Sequence, residues 1–108
     1  MHSFKTGKIY FIRFHNKRDK HIYIGSTICN LKCRFSNHKN NKTTISNYIS
    51  KKYGNNWNCC FIEKYLDFPC SNRKALIKKE YQIINKFAKE KKFKVLNIIG
   101  NKYRNICP

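Results

Sequence analysis

Two runs rich in aromatic and β-branched residues, KIYFIRFH from Lys8 and HIYIGST from His21, stand on either side of the polar stretch HNKRDK. Ile-Tyr occurs once in each run, thirteen residues apart. Period-two patterning interrupted by a polar segment predicts a β-hairpin. With the turn centred on Asn16-Lys17, the register pairs Phe14 with Asp19, Ile12 with His21 and Tyr10 with Tyr23. Side chains of such a pair project from one face, so the two phenols are expected to lie together. A one-residue slip would separate them.

The rest of the chain supplies elements to cover that hairpin. NLKCRFSNHKNN predicts a short helix capped by Asn30, with Leu31 and Phe35 as an apolar i, i+4 pair and Arg34 and His38 as a second ridge beside it. TTISNYISKKYG predicts another, begun by a threonine, carrying Ile45, Tyr48, Ile49 and Tyr53, and stopped at Gly54. WNCCFIEKYL predicts a third strand, closed by Asp67 and Pro69. SNRKALIKKEYQIINKFAKEKK predicts the longest helix, opened by Ser71 or Asn72, with Leu76, Ile83, Ile84 and Phe87 as its buried stripe. KVLNII is a short apolar run with Asn97 inside it, and a buried amide needs partners.

At 108 residues the chain has room for one compact domain. Lys and Arg number 24 against 5 Asp and Glu, for a formal net charge of +19. Abundant Lys, Asn, Ile, Tyr and Phe match AT-rich codons, which accounts for the origin of the charge and not for its effect. A surface this basic selects polyanions. No apolar segment approaches the roughly 20 residues of a membrane span, so nucleic acid is expected rather than membrane. The start MHSFKTGK has no apolar secretion core, and an intracellular, reducing location is expected. The six cysteines, at 29, 33, 59, 60, 70 and 107, lack the paired spacing of zinc loops. Cys33 falls in a predicted helix and Cys59-Cys60 in a predicted strand, so reduced thiols without structural zinc are expected.

One acid stands out. Glu80 lies within the apolar stripe of the longest helix, one turn after Leu76 and one before Ile83 and Ile84. A carboxylate aimed at a core is unfavourable by several kcal/mol unless a cation or donors meet it, so either an edge lysine pairs with it or it belongs to a site.

Taken singly, a strand tyrosine packs a core and a helical arginine is solvated. Together, KIY at residues 8–10, YIG at residues 23–25 followed by STICNLKCRFSNH, the Glu80 helix and VLNII resemble the GIY-YIG nuclease family over roughly residues 6–100. The chain departs from the family at one place, having Lys8 where the first motif usually begins with glycine, with Gly7 just before it.

The resemblance implies an α+β fold, a small three-stranded antiparallel sheet flanked by helices, with a short tail at 101–108. It implies a DNA endonuclease that hydrolyses phosphodiesters with one Mg²⁺ or Mn²⁺ per active site. Tyr10, Tyr23, Arg34 and His38 would be catalytic, Glu80 would hold the metal, and Gly25 and Asn97 would support the site. The general base would be Tyr10, His38 or a metal-bound water; Tyr10 is favoured, its pKa lowered by cations, with Tyr23 orienting the water or phosphate and His38 relaying a proton. With so few acids, a two-metal carboxylate cluster is not expected, and a single metal leaves charge for Arg34 to cover with its forked donors. The family often adds a separate DNA-reading domain; none is expected within these 108 residues, and low sequence specificity is expected unless the chain is a fragment. Two other functions remain open: a non-catalytic nucleic-acid-binding module, and a nuclease subunit that needs a protein partner.

Overall fold

The computed structural model describes residues 4–99. The expected tail at 101–108 and the domain limit at residue 100 therefore lie outside the described residues. A 3₁₀ turn at Phe4–Thr6 leads into β1 (Lys8–Phe14) and β2 (His21–Thr27), followed by α1 (Leu31–Asn40) and α2 (Thr44–Tyr53). A second 3₁₀ turn, Trp57–Cys59, precedes β3 (Cys60–Asp67). The chain continues into α3 (Arg73–Glu90), β4 (Lys94–Val95) and α4 (Leu96–Ile99).

The helices begin and end where local chemistry dictates. Asn30 caps α1 by accepting from the Cys33 N–H, and Asn72 caps α3 by accepting from the Ala75 N–H. Thr43 and Ser46 form a capping box on α2, which Gly54 ends in the left-handed region at φ 60°.

The sheet is α+β as expected, but it has four strands in the order β3-β1-β2-β4. β1 runs antiparallel to both β2 and β3, while the extra strand, β4, pairs in parallel with His21 and Ile22 alone. Two residues carry no periodicity of their own, and KV becomes a strand only because β2 offers an edge. Cys59 sits in the turn ahead of β3 rather than in the strand.

The hairpin register also differs. Tyr10 pairs with Gly25 and Ile12 with Tyr23, two residues away from the expected alignment. The cause is the connection: residues 15–20 make a loop longer than a two-residue turn, closed by the Asp19 N–H on the Asn16 carbonyl. Because the slip is even, every side chain keeps its face, and Tyr10 and Tyr23 still share one.

Period two sends the two sides of the hairpin into separate cores. Ile9, Phe11, Ile22 and Ile24 pack with Leu76, Tyr81, Ile83 and Ile84 of α3, with Phe87 partly buried against them. Tyr10, Ile12 and Phe14 pack with Ile45 and Ile49 of α2 and Leu96 of α4 on the other face, where Leu31 and Phe35 of α1 join them. Each core side chain removed from water contributes about 1.5–3 kcal/mol. A bulge in the β1–β3 ladder falls between Ile9 and Tyr10. No helix among the described residues is long and apolar enough to cross a membrane.

Candidate active site

The sheet leaves part of an edge open. β4 covers β2 only at His21 and Ile22. Asn97 then replaces a strand: its Oδ1 accepts from the Ile24 N–H at 3.0 Å and its Nδ2 donates to the Ile24 carbonyl at 2.7 Å. This answers the buried amide's need for partners and fixes the peptide between Tyr23 and Gly25. Beyond it, a cavity of about 390 Å³ lies between the end of β2, α1 and α3, lined in part by Tyr23, Gly25, Ser26, Arg34, Arg73 and Glu80. Face alternation brings Tyr23 to it from one side of the sheet and Ser26 from the other.

Tyr10 is fully buried and does not line the cavity. Its ring lies across Gly25, where an added Cβ would come within 2.4 Å of the phenol carbon and oxygen. Gly25 is thus required by its partner across the ladder, not by its own backbone conformation. The Tyr10 hydroxyl accepts from Arg34 Nε at 3.1 Å and lies 2.7 Å from His38 Nε2. The phenolic proton is then donated to His38 Nε2, which assigns the Nδ1–H to the Thr43 hydroxyl, 3.1 Å away. Burial, with Arg34 adding to it, depresses the pKa of His38 to about 4, so the imidazole is neutral near pH 7. Arg34 and His38 share a ridge of α1 as their spacing predicts, but His38 is fully buried beneath the site while Arg34 reaches the cavity.

The expectation that cations lower the Tyr10 phenol is not met. Burial raises it well above the usual range and Tyr23 adds to that, outweighing Arg34. Tyr23 is raised to about 12 by burial and then by Glu80. Its hydroxyl has no hydrogen-bond partner among the described residues and opens on the cavity. Burial opposes the charge on Arg34, but the two phenols and Glu80 more than compensate and raise its pKa. With Nε fixed by Tyr10, the terminal amino groups of Arg34 remain for a ligand.

Glu80 has no ion pair among the described residues, which removes the lysine-pair alternative. Its Oε1 accepts from the Ser26 hydroxyl at 2.5 Å. Burial raises the carboxyl above the ordinary range, and Ser26, Arg34 and Arg73 only partly offset this. Ser26 and Arg73 are the residues that sequence reasoning missed. Ser26 directly follows the YIG triplet, and Arg73 lies seven residues before Glu80, two helical turns on the same face.

A family model described as the GIY-YIG catalytic domain matches residues 6–94 of the chain. No curated protein and no solved structure matches it.

Proposed function

Because the chain belongs to the GIY-YIG family and so carries a nuclease domain, we propose that it is a metal-dependent DNA endonuclease with low intrinsic sequence preference. One observation carries the metal dependence: a half-buried carboxylate that forms no ion pair among the described residues faces a cavity that it shares with the Arg34 terminal amino groups and the Tyr23 phenol, neither of them hydrogen-bonded to a described residue.

The donors suit a hard divalent ion. Glu80 offers carboxylate oxygen, and the cavity has room for the waters and phosphate oxygens that Mg²⁺ retains. Among the described residues no group of three or more His, Cys, Asp or Glu gathers, so a cage made of protein alone, as structural zinc demands, is not offered. Mg²⁺ or Mn²⁺ held at Glu80 supplies Lewis-acid relief of charge on the phosphoryl oxygens.

The chain's own residues do the rest. Arg34 presents its terminal amino groups to the scissile phosphate, a forked geometry that lysine cannot reproduce. Tyr10 and His38 act through Arg34, holding Nε so that the fork is aimed before substrate arrives. Tyr23, the phenol that reaches the cavity, orients the attacking water; raised to about 12 it stays protonated near pH 7, so the base role expected of Tyr10 does not pass to it. Ser26 keeps the Glu80 carboxylate oriented and favours its ionised form.

These groups recognise phosphate, not base edges, which supports the low sequence preference. The excess of lysine supplies salt-sensitive affinity for DNA. A binding-only module has no use for Glu80 in an apolar stripe. The test is cleavage of supercoiled, nicked, branched and single-stranded DNA with Mg²⁺, Mn²⁺ or chelator. Metal-dependent cuts without a sequence motif are expected. Tight binding with no cleavage under any divalent ion leaves the binding module standing.

A further inference from the structure

The cavity holds a second guanidinium that the reaction above leaves unused. Arg73 opens α3 and lines the same cavity as Arg34, Tyr23 and Glu80. It is exposed and forms no hydrogen bond or ion pair among the described residues. Its charge nevertheless reaches Glu80, favouring the ionised carboxylate as Arg34 does. Two cations, one from α1 and one from the start of α3, therefore share the cavity with one carboxylate, and neither forms an ion pair among the described residues.

Position decides what the second guanidinium meets. Arg34, half-buried and held by Tyr10, meets the scissile phosphate from within the cavity, whereas Arg73 is the exposed member of the lining, where a strand running on from that phosphate presents the next one. The helix end is not the receptor, because the Asn72 side chain already takes the Ala75 N–H at 2.9 Å.

We propose that Arg73 contacts the backbone phosphate next to the scissile one, so that the substrate is a strand with at least two consecutive phosphodiesters. This rests on the nuclease reading. It sets the direction of the strand across the site, from Arg34 past Glu80 to the start of α3. It also implies that diesters with a single phosphate are poor substrates.

The test is a cycle between protein and DNA. Oligonucleotides carrying one neutral methylphosphonate, on either side of the cleaved bond, are compared in the parent and in Arg73→Gln. Neutralising one of the two neighbours should raise KM about tenfold or more in the parent, the loss of one charge-assisted contact. In Arg73→Gln that KM should already be raised, and the same methylphosphonate should add less than about twofold. A mere field effect of Arg73 on Glu80 would be indifferent to which neighbour is neutral. Losses that multiply at both neighbours overturn the assignment. The same cycle on equilibrium binding in chelator separates the two readings: a parent that binds but never cleaves refutes the nuclease, while the binding cycle still decides Arg73.

Discussion

Asp19 and Glu80 are two of the five acids in the chain, and burial acts on both in the same sense. At the turn end of the hairpin, Asp19 has a side chain only 1% exposed and is met by four donors. Oδ1 accepts from the His21 N–H at 2.9 Å and its Nδ1–H at 2.8 Å. Oδ2 accepts from the hydroxyls of Tyr48 at 2.9 Å and Tyr53 at 2.5 Å. Burial alone would raise this carboxyl, but the donors, Tyr53 foremost, bring it down to about 2. At the cavity end Glu80 has Ser26 and more distant arginines, and it stays above the ordinary range. The number of donors sets the sign. A carboxylate completed by protein fastens the hairpin loop to α2, and one left incomplete waits for a ligand.

The largest effect should come from removing the incomplete acid. Glu80→Gln keeps an oxygen for Ser26 but removes the charge that would hold a metal, and cleavage should fall about 10³-fold, or ~4 kcal/mol of barrier. Its stability should not fall. A carboxyl raised by folding contributes stability below its unfolded pKa, and that contribution is lost as pH rises through the folded value. Above that folded value the parent carries the unfavourable charge and the variant does not. A melting temperature several degrees lower in chelator, with cleavage surviving, would hand Glu80 back to the fold.

The complete acid should behave in the opposite way. Asp19→Asn leaves two tyrosine hydroxyls and His21 with a weaker acceptor, and about 3–5 kcal/mol of stability should go. Cleavage by the remaining folded protein at pH 7 should stay within a few-fold. Denaturant titration beside initial rates measures both, and a Cm unchanged by Asp19→Asn would show the network to be incidental.

Acid titration sharpens the contrast by separating the two ends in pH. His38 at the cavity end has a folded value of about 4 against the usual 6.5, so its neutral, buried form is favoured above 6.5 and stability is lost as pH falls from 6.5 to 4. At ~1.4 kcal/mol per unit this amounts to about 3 kcal/mol. Asp19 follows, its contribution present above 3.8 and lost as pH falls to about 2. Stability measured by denaturant at each pH in Glu80→Gln, which removes the opposing gain of that carboxyl on acidification, should decline in these two stages. A flat profile between pH 6.5 and 4 would mean that His38 is not held neutral.

Much of this was legible because it is local. Alternation marked the hairpin, helical spacing marked Glu80 and the Arg34–His38 ridge, and Asn30, Thr43 and Gly54 marked helix ends. What distance in sequence conceals was not. The loop at residues 15–20 moved the register by two, harmlessly for faces, because period two forgives an even slip. β4 exists only through its pairing with His21 and Ile22. Which tyrosine would be buried was also hidden, since it depends on Gly25 lying opposite Tyr10 while Tyr23 lies opposite Ile12. Both tyrosines read alike in their motifs, and only the pairing across the ladder distinguishes them.

That pairing supplies the finest test, on two phenols one oxygen atom each. Tyr10→Phe deprives Arg34 Nε of its acceptor and leaves His38 Nε2 without its donor, both in a buried setting, so about 1–2 kcal/mol of stability should be lost. Tyr23→Phe removes a hydroxyl with no protein partner among the described residues, and stability should hold or rise slightly. Cleavage should separate them by mechanism. Tyr23→Phe should lower kcat by up to about 10²-fold, with DNA affinity unchanged, through lost orientation of the attacking water. Tyr10→Phe loosens the fork itself and should weaken the advantage of arginine over lysine at position 34, so that Arg34→Lys costs less when combined with Tyr10→Phe than it does in the parent. Equal costs of Arg34→Lys in both backgrounds would show that Tyr10 does not aim the guanidinium, and the phenol under Gly25 would then be packing alone.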